Sequence, residues 1–207
     1  MFLGHFAAAL VARRVEPQLR LGTALVAAQL PDVLWPYFLL AGIERVTIAP
    51  GDTAVTPLRF DSYPWSHSLL MVAVAGLALT GVSMLAGATR RAAAWLAPLA
   101  VSHWLLDAWS HRPDLPLHPW GGPLVGLGLW GSRPLTFAVE GVMFGAAVAF
   151  FVRGHRRGPA FWGLIAFFVL TYVANLFGPP PPSVTALALL MVPLSPLLWW
   201  WGNKAGA

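Results

Sequence analysis

The stretch SHWLLDAWSHRPDLPLHP, residues 102–119, sets His103, Asp107 and His111 four residues apart in an otherwise apolar run. Residues i and i+4 of a helix share a face, so these ionisable groups form one stripe. Imidazole and carboxylate at this spacing suit the ligation of a divalent cation. The chain has no cysteine, so no thiolate ligand competes. The same groups also serve general acid–base chemistry. A lone HxxxD is a weak signal, and its plainer reading is a hydrogen-bonded polar seam between helices.

The elements that must position this stripe are those of a membrane protein. Of the 207 residues, 57% are hydrophobic and 10% are charged, against roughly 25% charged for a soluble domain. Residues 68–89 and 158–203 carry no charge at all. A span needs about 20 apolar residues, so the first run is one span and the second, divided by Gly178 and Pro179–Pro182, is two. The pattern predicts an all-α, polytopic membrane bundle forming a single domain. It has a short N-terminal half-helix at about 2–14 and six spans at about 20–43, 66–88, 92–111, 134–153, 159–178 and 183–202.

Charge sets the orientation. The net charge of +5 lies in short turns between spans, which argues for topology signals and against nucleic-acid binding. Arg13, Arg14, Arg20, Arg90, Arg91, Arg153, Arg156, Arg157 and Lys204 collect on one side, and Arg45, Arg59, Arg112 and Arg133 on the other. The first side is therefore read as cytoplasmic. Two longer loops lie outside: 44–66, read as a small hairpin, and 112–133, read as a lid rich in Gly and Pro. The expected location is a bacterial or archaeal cytoplasmic membrane, with the site toward its extracytoplasmic side.

Depth then brings polar groups from separate helices together. Asp32 and His103 each stand twelve residues beyond the Arg that opens their span, which places both about 18 Å along it. His5, His67, Asp107, His111, Glu140 and Asn175 fall in the same outer half. Charges at such depth cost about 2.5–3.5 kcal/mol each on insertion scales and normally pair with something. No Lys or Arg lies among them, and a divalent cation would supply the missing charge. Each residue also has a plain reading. Asp32 caps a helix at Pro31, His67 sits in a first turn capped by Ser66, Glu140 bonds a neighbouring helix, His111 and His118 sit at the surface, and His155 is a solvated turn residue.

In order along the chain, His5, LPD with Asp32, HS with His67, and SHWLLD with His103 and Asp107 resemble the YdjM-like membrane-bound metal-dependent hydrolases. The resemblance covers about the first 115 residues. It implies a helical membrane protein that binds zinc or a similar metal and is distantly related to zinc-dependent phospholipase C, with His5, Asp32, His67, His103 and Asp107 as ligands. One departure stands out: where the family shows HRGxTHS, this chain reads SYPWSHS, with Ser62 in place of the first His. Asp61, His111 or His118 would have to substitute.

The leading expectation is a hydrolase of a lipid-borne ester or phosphoester, using Zn²⁺ or another divalent metal such as Mn²⁺ or Fe²⁺ to activate water. In it, Asp107 or Glu140 takes a proton, His111 or His118 protonates the leaving oxygen, and Arg112 holds a phosphate. Membrane lipid is the expected partner and substrate source. A metal-ion or proton-conducting transporter and a non-catalytic, metal-stabilised subunit are the alternatives.

Overall fold

A computed structural model describes residues 1–206. Helix α1 (Leu3–Val15) turns back into α2 (Leu21–Ala28), which is followed by α3 (Leu30–Leu40). Strands β1 (Arg45–Ile48) and β2 (Leu58–Ser62) pair antiparallel, as expected of the first loop. Helices α4 (Pro64–His67), α5 (Leu69–Leu85), α6 (Arg90–Ala93) and α7 (Leu96–Ser110) come next. The second loop holds a short ribbon of β3 (Leu115–Pro116) and β4 (Leu124–Val125). Helices α8 (Arg133–Val152), α9 (Pro159–Phe177), α10 (Val184–Met191) and α11 (Leu194–Ala205) complete the chain.

The molecule is mostly helical, and length and apolarity by themselves account for fewer than the six expected spans. Three segments are long and apolar enough to cross a membrane: Arg133–Val152, Pro159–Phe177 and Val184–Ala205. A fourth is the pair α2–α3, which together pass the same test but meet at 56°. Pro31 causes this break, because it has no N–H to continue the ladder of α2. The remaining two expected spans are shorter than predicted. Apolarity continues past Leu85, but the helix α5 stops there, 17 residues long, and Gly87 makes a turn with φ of 87°. The expected span at 92–111 divides into α6 and the 15-residue α7.

Small residues let the helices approach closely. On α2, a Cβ at Gly22 would run into the Trp199 carbonyl of α11, and Gly202 faces Gly22 from the other side. Gly76 of α5 similarly faces Ala97 and Ala100 of α7. One core cluster joins α1, α2, α7, α8, α9 and α11 around Leu10, Leu25, Phe161 and Phe168. Val142, Leu170, Phe177 and Leu190 point outward and are more than half exposed, as expected of faces solvated by lipid.

The basic residues sort by end of the bundle. Arg13 bonds the Gly206 carbonyl, Arg14 bonds the Arg153 carbonyl, and Gln18 accepts from Thr89, joining the turns that carry most of the Arg. At the other end the two loops clasp each other. Arg112 pairs with Asp52 at 2.8 Å, Ala54 N donates to the Trp130 carbonyl, and Arg133 Nε donates to the Ala54 carbonyl.

Candidate metal centre

Four elements bring five of the sequence-predicted residues together. His5 comes from α1, Asp32 from the first turn of α3, His67 from the end of α4, and His103 and Asp107 from α7. They form two triads, His5–His103–Asp107 and Asp32–His67–His103, in each of which the ligating atoms lie within 4.8 Å of one another. His5 Nε2 is 3.1 Å from Asp107 Oδ1, and His103 Nε2 is 3.1 Å from Asp107 Oδ2. His67 Nε2 is 3.4 Å from Asp32 Oδ1, and His103 Nε2 is 3.9 Å from Asp32 Oδ2. The His5 and His103 rings stack with centroids 3.7 Å apart.

Hydrogen bonds decide which ring nitrogen faces the cluster. His103 Nδ1 lies 2.8 Å from the Ala28 carbonyl. A carbonyl only accepts, so Nδ1 carries the proton and Nε2 of the neutral ring keeps the lone pair. Ala28 offers this oxygen because the helix breaks directly after it. His67 is held through a longer chain. Glu44, 2% exposed, accepts from Trp65 N and Ser66 N at 2.8 Å and from Ser66 Oγ at 2.6 Å. Having given its proton to Glu44, Ser66 Oγ accepts from His67 Nδ1 at 2.7 Å. His67 Nε2 therefore also presents a lone pair.

With both rings neutral, these lone pairs face carboxylates. His103 Nε2 has no hydrogen-bond partner although Asp107 and Asp32 stand near it. Acceptors held against acceptors in a buried site call for a positive charge between them, either a proton or a metal ion. Zinc–ligand bonds of about 2.0–2.1 Å in a tetrahedron place donor atoms about 3.3 Å apart. The distances of 3.1, 3.4 and 3.9 Å straddle that value. Imidazole nitrogen with carboxylate oxygen is a donor set that zinc, manganese or iron accepts, so the residues fit the group. The N-terminal ammonium of Met1 also contacts Asp107 Oδ1.

The remaining predicted residues divide. His111 caps α7 and is buried, with Nε2 3.9 Å from Asp107 Oδ2 and Nδ1 2.9 Å from Asp114 Oδ1. The Tyr63 hydroxyl donates to the same Asp114 oxygen at 2.9 Å. Burial, reinforced by Asp114, pushes that phenol well above its ordinary range. The plain reading of Glu140 is borne out: it bonds a neighbouring helix, its Oε2 accepting from Phe2 N and Leu3 N at the start of α1 while Oε1 has no partner.

Arg112 is not free to meet a ligand, because Asp52 and Asp114 both pair with it. The guanidinium is partly desolvated, but these carboxylates hold its pKa above the usual value. His118 stands beside Trp120 in the lid and, among the described residues, makes no hydrogen bond or ion pair with the cluster. Asn175 does not join the polar layer either: it is exposed and lines a recess under residues 50–57. Asp61 pairs with Thr47 and Arg59 within the hairpin, whereas His111 lies beside Asp107. The expected cap at Ser66 is corrected too. Ser68 caps α5 by accepting from Met71 N, which leaves Ser66 for the Glu44 chain.

Sequence reasoning missed Glu44, Tyr63 and Asp114. Glu44 sits at the edge of a loop, where an acid ordinarily faces solvent. Only the approach of α4 buries it. The lid loop reaches the site because Gly126 is tight against the Arg112 and His111 backbone, where any side chain would clash. Leu127 N and Gly128 N donate to the carbonyls of Ala108 and His111, and Trp130 covers the His111 ring with centroids 4.4 Å apart. No family model, curated protein or solved structure matches this chain.

Proposed function

We propose that this protein is a metal-dependent hydrolase that cleaves a lipid-borne ester or phosphoester within the membrane. The observation that carries the reading is the pair of imidazole lone pairs, on His103 and His67, each locked by its other nitrogen and aimed at buried or half-buried carboxylates. Metal-ligating histidines are typically held in this way. The order of His5, LPD, HS and SHWLLD, similar to the YdjM-like hydrolases, supports it further.

In this reading α5 and α7 serve as short spans of a six-span bundle, and the end carrying Arg45, Arg59, Arg112 and Arg133 faces away from the cytoplasm. His5, Asp32, His67, His103 and Asp107 would hold one ion, zinc or a similar divalent metal. His103 has only one nitrogen to give, so the two triads share it and describe a single site. When bound, such a metal lowers the pKa of a water toward about 7. Asp107 would accept a proton from that water as its oxygen adds to the carbonyl carbon or phosphorus. His111, 3.9 Å from Asp107, gives a proton to the alcohol oxygen as the ester bond breaks. Glu140 holds the first turn of α1, and with it His5, in place.

Elemental analysis of the purified protein in detergent, wild type beside His103→Ala, is the first test. About one zinc, manganese or iron per chain, lost in the variant, supports the reading and justifies incubation with mixed lipids to find the ester that turns over. A wild type that carries no metal and binds none on titration ends it. The gaps between acceptors would then be filled by protons, and the cluster would be a proton network.

A further inference from the structure

The cluster is closed on every side but one. His5, His67, His103 and Asp107 are at most 4% exposed, whereas the Asp32 side chain is 37% exposed. Asp32 lines a cavity of about 120 Å³ whose walls include Phe6 of α1, Val33 of α3, Phe167 of α9, and Leu194 and Leu198 of α11. None of its lining residues comes from either loop at the Arg112 end. Phe167 and Thr171 lie in the middle of α9, so the cavity opens on the flank of the spans, at the depth of hydrocarbon.

A second observation points to a ligand there. Gln29 shares the cavity with Asp32, is 7% exposed, and its Oε1 has no hydrogen-bond partner. A carboxamide left unpaired in an apolar wall is costly unless something completes it. Its amide nitrogen can donate to the carbonyl of a glycerol ester, while Oε1 can accept from a hydroxyl of the glycerol head group. A larger groove of about 580 Å³ between α1, α7 and α8, lined by Ala8, Leu105 and Met143, contains no residue of the two triads. Greasiness alone therefore does not single out the smaller cleft; its polar end does.

We infer that the cleft between α3, α9 and α11 admits one acyl chain of a glycerolipid sideways from the bilayer, with Gln29 bonding the ester region and setting it against Asp32. This deepens the proposed hydrolase and rests on it for the chemistry at Asp32. The cavity has room for the segment of chain next to the head group, and the rest of the chain stays in the bilayer.

The test uses full-length protein in phosphatidylglycerol nanodiscs doped with phosphatidylglycerol that carries a diazirine near the ester end of one acyl chain. After illumination, labelled peptides are mapped, and metal content is measured on the same samples. Strong labelling of Val33, Phe167 and Leu198, falling severalfold in Leu194→Trp and in Met191→Trp while metal content is unchanged, supports the inference. Labelling no stronger in the cleft than in the groove at Ala8 and Met143, and unaffected by either variant, overturns it even where metal is bound. Cleft labelling in a protein that binds no metal keeps acyl-chain docking but overturns the delivery of an ester to a metal at Asp32.

Discussion

His103 donates from Nδ1 to the carbonyl of Ala28, 75 residues earlier, at 2.8 Å. A kink in one helix thereby fixes the tautomer of a histidine in another. Since the donated-to group is backbone, no side-chain substitution at Ala28 removes it, but straightening the kink does. Pro31→Ala is expected to let residue 31 bond back toward α2, turn the Ala28 carbonyl inward and weaken metal binding. Metal affinity by competition with a chelator, compared between wild type and Pro31→Ala, measures this. Equal affinities would show that the kink does not position His103.

Glu44 and Ser66 hold His67 without touching Asp32 or His103. Loss of such an outer partner typically costs 10–100-fold, taken as about that range, in metal affinity. Ser66→Ala and Glu44→Gln are each expected to weaken metal binding by that order while the helical signal in circular dichroism persists. Because the two residues act in one chain, the double variant should lose little more than either single one. Additive losses would indicate that they act separately.

Glu140 accepts from the first N–H groups of α1. Glu140→Ala is expected to destabilise the fold by about 1–2 kcal/mol, as capping residues do. Glu140→Gln, which retains an accepting oxygen, should recover much of it. Thermal unfolding in detergent reads the stability, and metal content on the same samples shows whether His5 moves with the helix.

Tyr63 couples the end of β2 to the lid through Asp114. Burial raises its pKa in the folded state, so the folded protein holds this proton more tightly than the unfolded chain. Its contribution to stability is fully present below the ordinary phenol value of about 10 and is lost as pH rises from there through the higher folded value. Melting temperatures measured across that range should fall for the wild type. In Tyr63→Phe, already less stable near neutrality, the fall should be shallower. Parallel curves would remove Tyr63 from the lid's anchorage.

Gly22 and Gly202 meet where α2 crosses α11. Gly22→Val is expected to force these helices apart and unfold the core around this crossing, read as a loss of monodisperse protein on size exclusion. Gly145, with open space around it on α8, is the matched control; Gly145→Val should behave as wild type.

By itself the sequence determined the class of the molecule and most of the residues that meet in the buried His/Asp cluster. Long uncharged runs admit only helices in a bilayer, because every backbone polar group must be paired within its own segment. His103 and Asp107 had to share a face, since helical periodicity is local. His5, Asp32 and His67 were visible as polar residues that an apolar environment does not tolerate alone. Three dimensions decided what locality cannot. α5 ends earlier and α7 begins later than hydropathy suggests, because Gly87 and the turn before Leu96 interrupt the expected spans. Arg112 became a clasp rather than an open anion site because Asp52, 60 residues away, folds against it. Glu44, an ordinary loop acid in sequence, became the buried acceptor for Ser66, which in turn holds His67. Which carbonyl, carboxylate or hydroxyl completes each buried imidazole depends on the packing of distant helices, and that packing is a property of the whole fold.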